Sequence, residues 1–250
     1  MSADQNKIIE TCLLAGRIMV EGGSEIYRVE DTMRRIVHKA TDEGGQIFAT
    51  ITGVLVTMDS DDHTRFSQIT RRGIDMEKIS RVNELSRKFT DGSIDLDELQ
   101  NRLRQLDKEL PNFPLWLRVV GAGLEGMFLM IIFTQTHDWF DMPLTLFASA
   151  MGYLVAELLG SISRIRFVQE FLGSITLGLI GIIGVRLGLG QDVNNVIIGA
   201  VMPLVPGVPI TNALRDLIEG NLLAGIERGS EAALTVFAIA CAIGTLFHYL

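Results

Sequence analysis

The chain has 250 residues, of which 48% are hydrophobic and 21% charged, and its mean hydropathy is +0.31. The charge is unevenly placed: 36 of the first 112 residues are charged against 16 of the remaining 138, and no lysine follows Lys108. A water-facing surface needs more charge than the second part offers, so composition predicts a soluble domain over 1–112 and a membrane domain over 113–250.

Each part has a net charge of −4, which excludes the basic footprint of a nucleic-acid-binding protein. Cys12 and Cys241 lie in different parts, and His38, His63, His137 and His248 have no ligand spacing. No metal, no cofactor and no disulfide framework is therefore expected. The N-terminal MSADQNKIIETCLLAGRIM has a short apolar run interrupted by polar residues, unlike a signal peptide. The first domain is expected to stay in the cytoplasm.

Ile8, Ile9, Cys12, Leu13, Ala15 and Met19 recur at helical spacing and predict a helix over about 5–21, stopped by Gly22-Gly23. Ser24 reads as the N-cap of a second helix running to about Thr41, with Ile26, Val29, Met33, Ile36 and Val37 on one face. The run GQIFATITGVLVTMD is rich in Ile, Val, Thr and Phe and reads as one strand of up to about twelve residues. Asp59-Ser60-Asp61-Asp62 is a turn, and HTRFSQITR is its antiparallel partner. Asp75 and Asp95 cap two further helices, about 75–90 and 95–109. The soluble part is thus α+β.

Ser24, Glu25, Arg28 and Glu30 around the Gly-Gly turn are the candidates for chemistry there. One reading is a ligand-gating or hydrolytic centre; the other is helix capping with ion pairing. No Ser/His/Asp or Cys/His set accompanies them, which favours capping. Arg71-Arg72 beside Gly73 forms a basic spot that a solvated turn explains equally well.

Pro111 and Pro114 mark the linker, and five apolar stretches follow at about 115–134, 142–160, 168–188, 193–213 and 232–249. Arg164, Arg166, Arg215 and Arg228 fall in alternate loops, while QTHDWFD carries no Lys or Arg. The positive-inside rule then puts the N-terminus in the cytoplasm and the C-terminus outside. Trp116 and Trp139 flank the first span as an aromatic belt would. Ala148, Gly152, Ala156 and Gly160, and again Gly184 and Gly188, are small residues at four-residue spacing that allow close helix packing.

Ionisable groups inside spans are costly and are functional candidates by default. Glu125 and Glu157 are candidates for proton coupling, the alternative being a paired or protonated helix contact. Glu170 and Arg186 lie near span ends, where ion pairing or snorkelling accounts for them. The fourth stretch carries Pro203, Pro206 and Pro209, too many for one unbroken helix. In hydrocarbon the freed backbone groups need protein or water, so the break should line a cavity. A helix restarting near Pro209 presents unpaired N–H groups to a carboxylate, with Asn212 as a further donor. The rival reading is a kinked structural helix whose Arg215, Asp216 and Glu219 mark the interface.

The segment PGVPITNALRDLIEGNLLAGIERG, with Pro206, Gly207, Pro209, Asn212, Asp216, Gly220, Gly225 and Arg228, resembles the signature of the threonine/serine exporter family. The turn Gly22-Gly23-Ser24-Glu25 and the stretch RRGIDMEKISRVNELSRKF are similar to the family's cytoplasmic region. The resemblance covers essentially the whole chain and is closest to the larger subunit of the family's split, two-component type. It implies a smaller membrane subunit as partner and proton-driven export of a small carboxylate, either threonine and serine or a succinate-type dicarboxylate. It also implies a bacterial inner-membrane location.

The expected architecture is an N-terminal cytoplasmic α+β domain followed by an all-α polytopic membrane domain of five transmembrane helices, the fourth broken by prolines. The expected function is an exporter subunit, not an enzyme, with no catalytic residues. Pro206, Gly207, Pro209, Thr211, Asn212 and Asp216 are the substrate-binding candidates. Homo-oligomers remain open. The rivals are a membrane-anchored enzyme with a hydrolase-like cytoplasmic domain and a membrane sensor or scaffold.

Overall fold

The computed structural model describes residues 3–41, 44–59, 64–71, 73–108, 113–135, 139–162 and 167–249. The chain separates into two compact units, Met1–Pro111 with Val208–Ser230, and Asn112–Gly207 with Glu231–Leu250. Composition places one cut after residue 112; the first unit additionally takes in a segment from the proline-rich region and the start of the last helix.

In the first unit, α1 (Ala3–Glu21) and α2 (Ile26–Ala40) are followed by β1 (Gly45–Ala49), β2 (Gly53–Met58) and β3 (Thr64–Gln68), then α3 (Met76–Thr90) and α4 (Leu96–Lys108). The apolar stripes of the helices meet in one core containing Ile9, Met19, Ile26, Met33, Ile36, Val54, Leu99 and Leu103. Asp75 caps α3 by accepting from the Lys78 N–H at 2.9 Å, and Asp95 precedes α4 and accepts from the Glu98 N–H at 2.7 Å. Both are the expected caps.

The single strand expected within GQIFATITGVLVTMD is instead two antiparallel strands, with Ala49 opposite Val54, in a sheet of order β1-β2-β3. The Thr50 hydroxyl makes the turn, accepting from the Thr52 and Gly53 N–H groups at 3.2 Å each. The pairing of β2 with β3 agrees with the expected partnership. Of the expected acidic turn, Ser60, Asp61 and Asp62 lie outside the described residues.

The first unit also contains α9 (Gly207–Ile218) from Val208 onward and the opening of α10 (Leu222–Tyr249). The second unit holds α5 (Leu115–Thr134), α6 (Met142–Ile162), α7 (Val168–Arg186), α8 (Val193–Val201), a 3-10 turn (Met202–Leu204) and α10 from Glu231. Among the described residues, α5, Met142–Gly160 of α6, α7 and α10 are each long and apolar enough to cross a membrane. Val193–Leu204 and Gly207–Ile218, bent at the break between them, are together apolar enough for a broken span or a re-entrant loop. The last helix begins ten residues before the expected start near 232; at a rise of ~1.5 Å per residue its 28 residues exceed a ~30 Å hydrocarbon core.

The small-residue stripe of α6 performs the expected packing. A Cβ on Gly152 would stand 2.9 Å from Leu177, and one on Gly173 would stand 2.8 Å from the Gly152 carbonyl, so α6 and α7 touch backbone to backbone. Gly184 likewise makes room for Leu144. Gly188 does not belong to that stripe: it ends α7 with φ +77° and has no neighbour near its missing Cβ.

Candidate functional sites: the Gly-Gly turn and the cavity at the proline break

The Gly22-Gly23 turn is a tightly specified piece of backbone. The Ser24 N–H returns to the Met19 carbonyl and the Gly23 N–H to the Val20 carbonyl, both at 3.0 Å, closing α1 in a Schellman motif. Gly23 sits at φ +84°, and a Cβ there would lie 2.8 Å from the Gly73 carbonyl oxygen. Gly73 and Asp75 donate their N–H groups to the Glu21 and Gly22 carbonyls at 2.9 and 2.8 Å, fastening the turn to the loop before α3. Ser24 is not the N-cap of α2, contrary to the sequence expectation. The capping backbone belongs to Glu25, whose side chain makes no cap bond, and the Ser24 Oγ lies 3.4 Å from the Glu25 carbonyl.

The missing cap comes from far along the chain. Asp216 Oδ1 accepts from the Ile26 N–H at 2.9 Å, placing an anion at the positive end of α2. Asn212 Nδ2 donates to the Gly23 carbonyl at 2.9 Å, and Arg228 Nη2 donates to the Ser24 carbonyl at 3.0 Å. The Glu25 carboxylate pairs with Arg215 and, at 3.3 Å, with Arg28. Residues 23 to 26 thus each have a partner from α9 or α10. Asp216 is fully buried and Arg228 is 7% exposed, and their charged ends stand 3.6 Å apart.

Local sequence positions these groups. Asn212 and Asp216 are four apart on α9 and share a face. Gly220, at φ +88°, ends α9 by letting the Asn221 N–H reach the Asp216 carbonyl at 2.8 Å. A Cβ on Gly225 would lie 3.0 Å from the Ala213 carbonyl, so that glycine permits the close crossing of α9 and α10. Ala224, one residue earlier, joins the core of the first unit.

Burial pushes the Glu25 carboxyl up, but the donation of its own N–H and its two arginine partners outweigh this and leave it below the ordinary glutamate value. Glu30, whose Oε1 accepts from the Ala49 N–H at 3.1 Å, is raised mainly by burial and also by the Asp216 charge. Burial likewise raises Glu21 and pushes the Cys12 thiol far up, so Cys12 is an inert core residue. Glu25 and Arg28 therefore pair, and Glu30 holds a strand.

In the second unit, a cavity of about 440 Å³ opens where the proline break begins, lined by Tyr153, Glu157, Gln169, Glu170, Pro203 and Leu204. Glu157 is held by Arg118 at 2.6 Å. Glu170 Oε1 accepts from Gln169 Nε2 at 2.8 Å, while its buried Oε2 has no hydrogen-bond partner among the described residues. Its place in the first turn of α7 favours negative charge. A Cβ on Gly160 would lie inside Gln169, so that glycine makes room for the amide.

The remaining candidates are dispersed. Pro206 and Gly207 frame the break, Pro209 lies in the first turn of α9, and Thr211 Oγ1 donates to the Val208 carbonyl at 3.0 Å. Asn212, expected to donate to a substrate carboxylate, donates to the Gly23 carbonyl. Glu125 is exposed at mid-helix on α5, and Arg186 ends α7. Arg72, Arg164 and Arg166 lie outside the described residues. No cluster of acids, cysteines and histidines able to hold a metal occurs among the described residues.

Sequence reasoning missed Asp141. It is fully buried, precedes α6, and accepts from the Gln191 and Asp192 N–H groups at 2.5 and 3.1 Å, tying the loop before α6 to the loop before α8. An aspartate immediately before a Met-Pro helix start was the available cap signal.

A family model described as "Putative threonine/serine exporter" matches residues 10–249. The chain is 21% identical to the "Probable threonine/serine exporter" of Mycobacterium tuberculosis over 95% of its own length, spanning 45% of that longer protein. It is 24% and 22% identical to the "Probable succinate transporter subunit YjjP" of Klebsiella aerogenes and of Escherichia coli, covering 94% of this chain and 91% of each relative. No solved structure matches. This family is one of transporters, not enzymes, and the chain belongs to it: it is a member of the threonine/serine exporter family.

Proposed function

We propose that the chain is a subunit of a bacterial plasma-membrane exporter of small carboxylates, with the cavity at the proline break as its transport site. The observation that carries this reading is that Pro203 and Leu204 line a cavity with two glutamates, a glutamine and a tyrosine. A helix ended by prolines beside a cavity lined by polar groups suits a passage for a polar solute. The N-terminal unit is the cytoplasmic part, and its Gly-Gly turn is the contact by which α9 is held. A smaller membrane subunit completes the exporter, in keeping with the names of the two YjjP relatives as transporter subunits.

The charges favour an amino acid. Glu157 is neutralised by Arg118, which leaves the free Glu170 oxygen to receive a substrate ammonium. The substrate carboxylate then competes for Arg118 and frees Glu157 to take a proton, coupling export to proton movement. A dicarboxylate would meet two glutamates with one arginine. Succinate is nevertheless the second reading, because the two YjjP relatives are matched over 91% of their length.

The test is efflux from cells loaded with threonine, fed as a peptide, or with succinate, expressing this chain alone and with the smaller family subunit. Threonine efflux only with both chains is the expected result. No efflux of either solute, with both chains verified in the membrane, would overturn the proposal.

A further inference from the structure

We propose that the outward face of α5 around Glu125 is the docking surface for the second membrane subunit, which brings a cation or strong hydrogen-bond donor to mid-span. This rests on the two-subunit reading above and adds where the subunit binds and what it must carry.

Glu125 is the eleventh residue of the 20-residue helix Leu115–Thr134. At ~1.5 Å per residue it stands roughly 14–15 Å from either end, beyond the reach of a glutamate side chain to the interface. Among the described residues no hydrogen bond or ion pair reaches it, and it is exposed on this chain. An acid at that depth facing lipid is costly, and natural spans direct such groups toward a partner or a wet cavity. Among the described residues the Glu125 carboxyl has neither.

The surrounding surface suits a helix. Gly121, one turn earlier, is exposed, and a Cβ there would meet nothing within 4 Å, so bare backbone lies beside the acid. Leu124, Phe128 and Ile132 complete the face at 40%, 53% and 63% exposure. A small residue flanked by large apolar ones is the notch into which another transmembrane helix packs closely.

A second copy of this chain is a poor occupant because it has no mid-span cation to offer. No lysine follows Lys108, and Arg164 and Arg166 fall in sequence between the second and third apolar stretches. Arg118 is committed to Glu157, Arg215 and Arg228 to the turn at residues 24 and 25, and Arg186 sits at a helix end. Two copies meeting symmetrically on this face would bring like charges together. The relative from Mycobacterium tuberculosis, by contrast, is matched over only 45% of its length, leaving more than half of that chain to supply the complement.

The experiment is in-cell photo-cross-linking of the full chain, co-expressed with the smaller family subunit, with a photoreactive phenylalanine at Phe128 or Ile132. The expected product is an adduct of this chain with the smaller subunit. Glu125→Leu should lower co-purification of the two chains at least tenfold, and Glu125→Gln, which keeps an acceptor, should retain most of it. An adduct of this chain with itself would overturn the proposal. So would a smaller subunit that co-purifies undiminished with Glu125→Leu and gives no adduct, although the two-subunit reading would then stand. Efflux by this chain alone, with no second subunit in the cell, would remove both.

Discussion

The carboxylate of Asp216 receives the Ile26 N–H at 2.9 Å, so α9 caps α2 across 190 residues of chain. The contact joins the segment after the prolines, which resembles the exporter signature, to the Gly-Gly turn, which is similar to the family's cytoplasmic region. Asn212 and Arg228 bind the neighbouring carbonyls of the same turn. The turn and the segment are one structural feature.

Asp216→Ala should therefore destabilise the first unit by about 3 kcal/mol, since it removes a helix cap and strips a buried arginine of its counter-charge. Asp216→Asn should cost less, because an amide oxygen can still accept from Ile26. Thermal unfolding of the purified protein, followed with limited proteolysis of the first unit, measures both. Equal stability of Asp216→Ala and the parent would remove the capping account.

Gly23→Ala should be destabilising by at least ~1 kcal/mol, because the residue is left-handed and the new methyl would meet the Gly73 carbonyl. Gly220→Ala shares the backbone strain but has open space around its Cβ, so its cost should be smaller. The difference between their unfolding midpoints isolates the contact with Gly73.

Glu25, at the start of α2, and Glu30, inside it, should act on stability in opposite directions with pH. Glu30 is raised by burial, so the folded state holds its proton more tightly than the unfolded one. Its contribution is present below the ordinary glutamate value of about 4.3 and is lost as pH rises through the raised value. Glu25 is lowered, so its contribution is present above the ordinary value and is lost as pH falls through the lowered one. Glu30→Gln should flatten the decline in unfolding temperature on the alkaline side of that value and leave the acid limb intact; a parallel profile would contradict the assignment.

The helices of the first unit were legible because one face of each is apolar at a period of 3.6 residues, and the caps Asp75 and Asp95 marked two starts. The turn between β1 and β2 was hidden because Thr50, Ile51 and Thr52 all favour strands, and the Thr50 hydroxyl supplied the bend. The break in the helix was plain from three prolines in seven residues. The association of α9 with the first unit was not, since Asn212 and Asp216 reveal their partners only once residues 190 apart are brought together. The cavity was hidden for a similar reason: Glu157, Glu170 and Pro203 come from three separate elements.

The most direct test of the account is threonine efflux from peptide-loaded cells carrying both subunits, comparing the parent chain with Glu157→Gln and Glu170→Gln at matched membrane abundance. The proposed roles of the cavity predict at least a tenfold loss in each variant. Efflux at the parental rate in both would contradict the claim that the cavity at the proline break is the transport site.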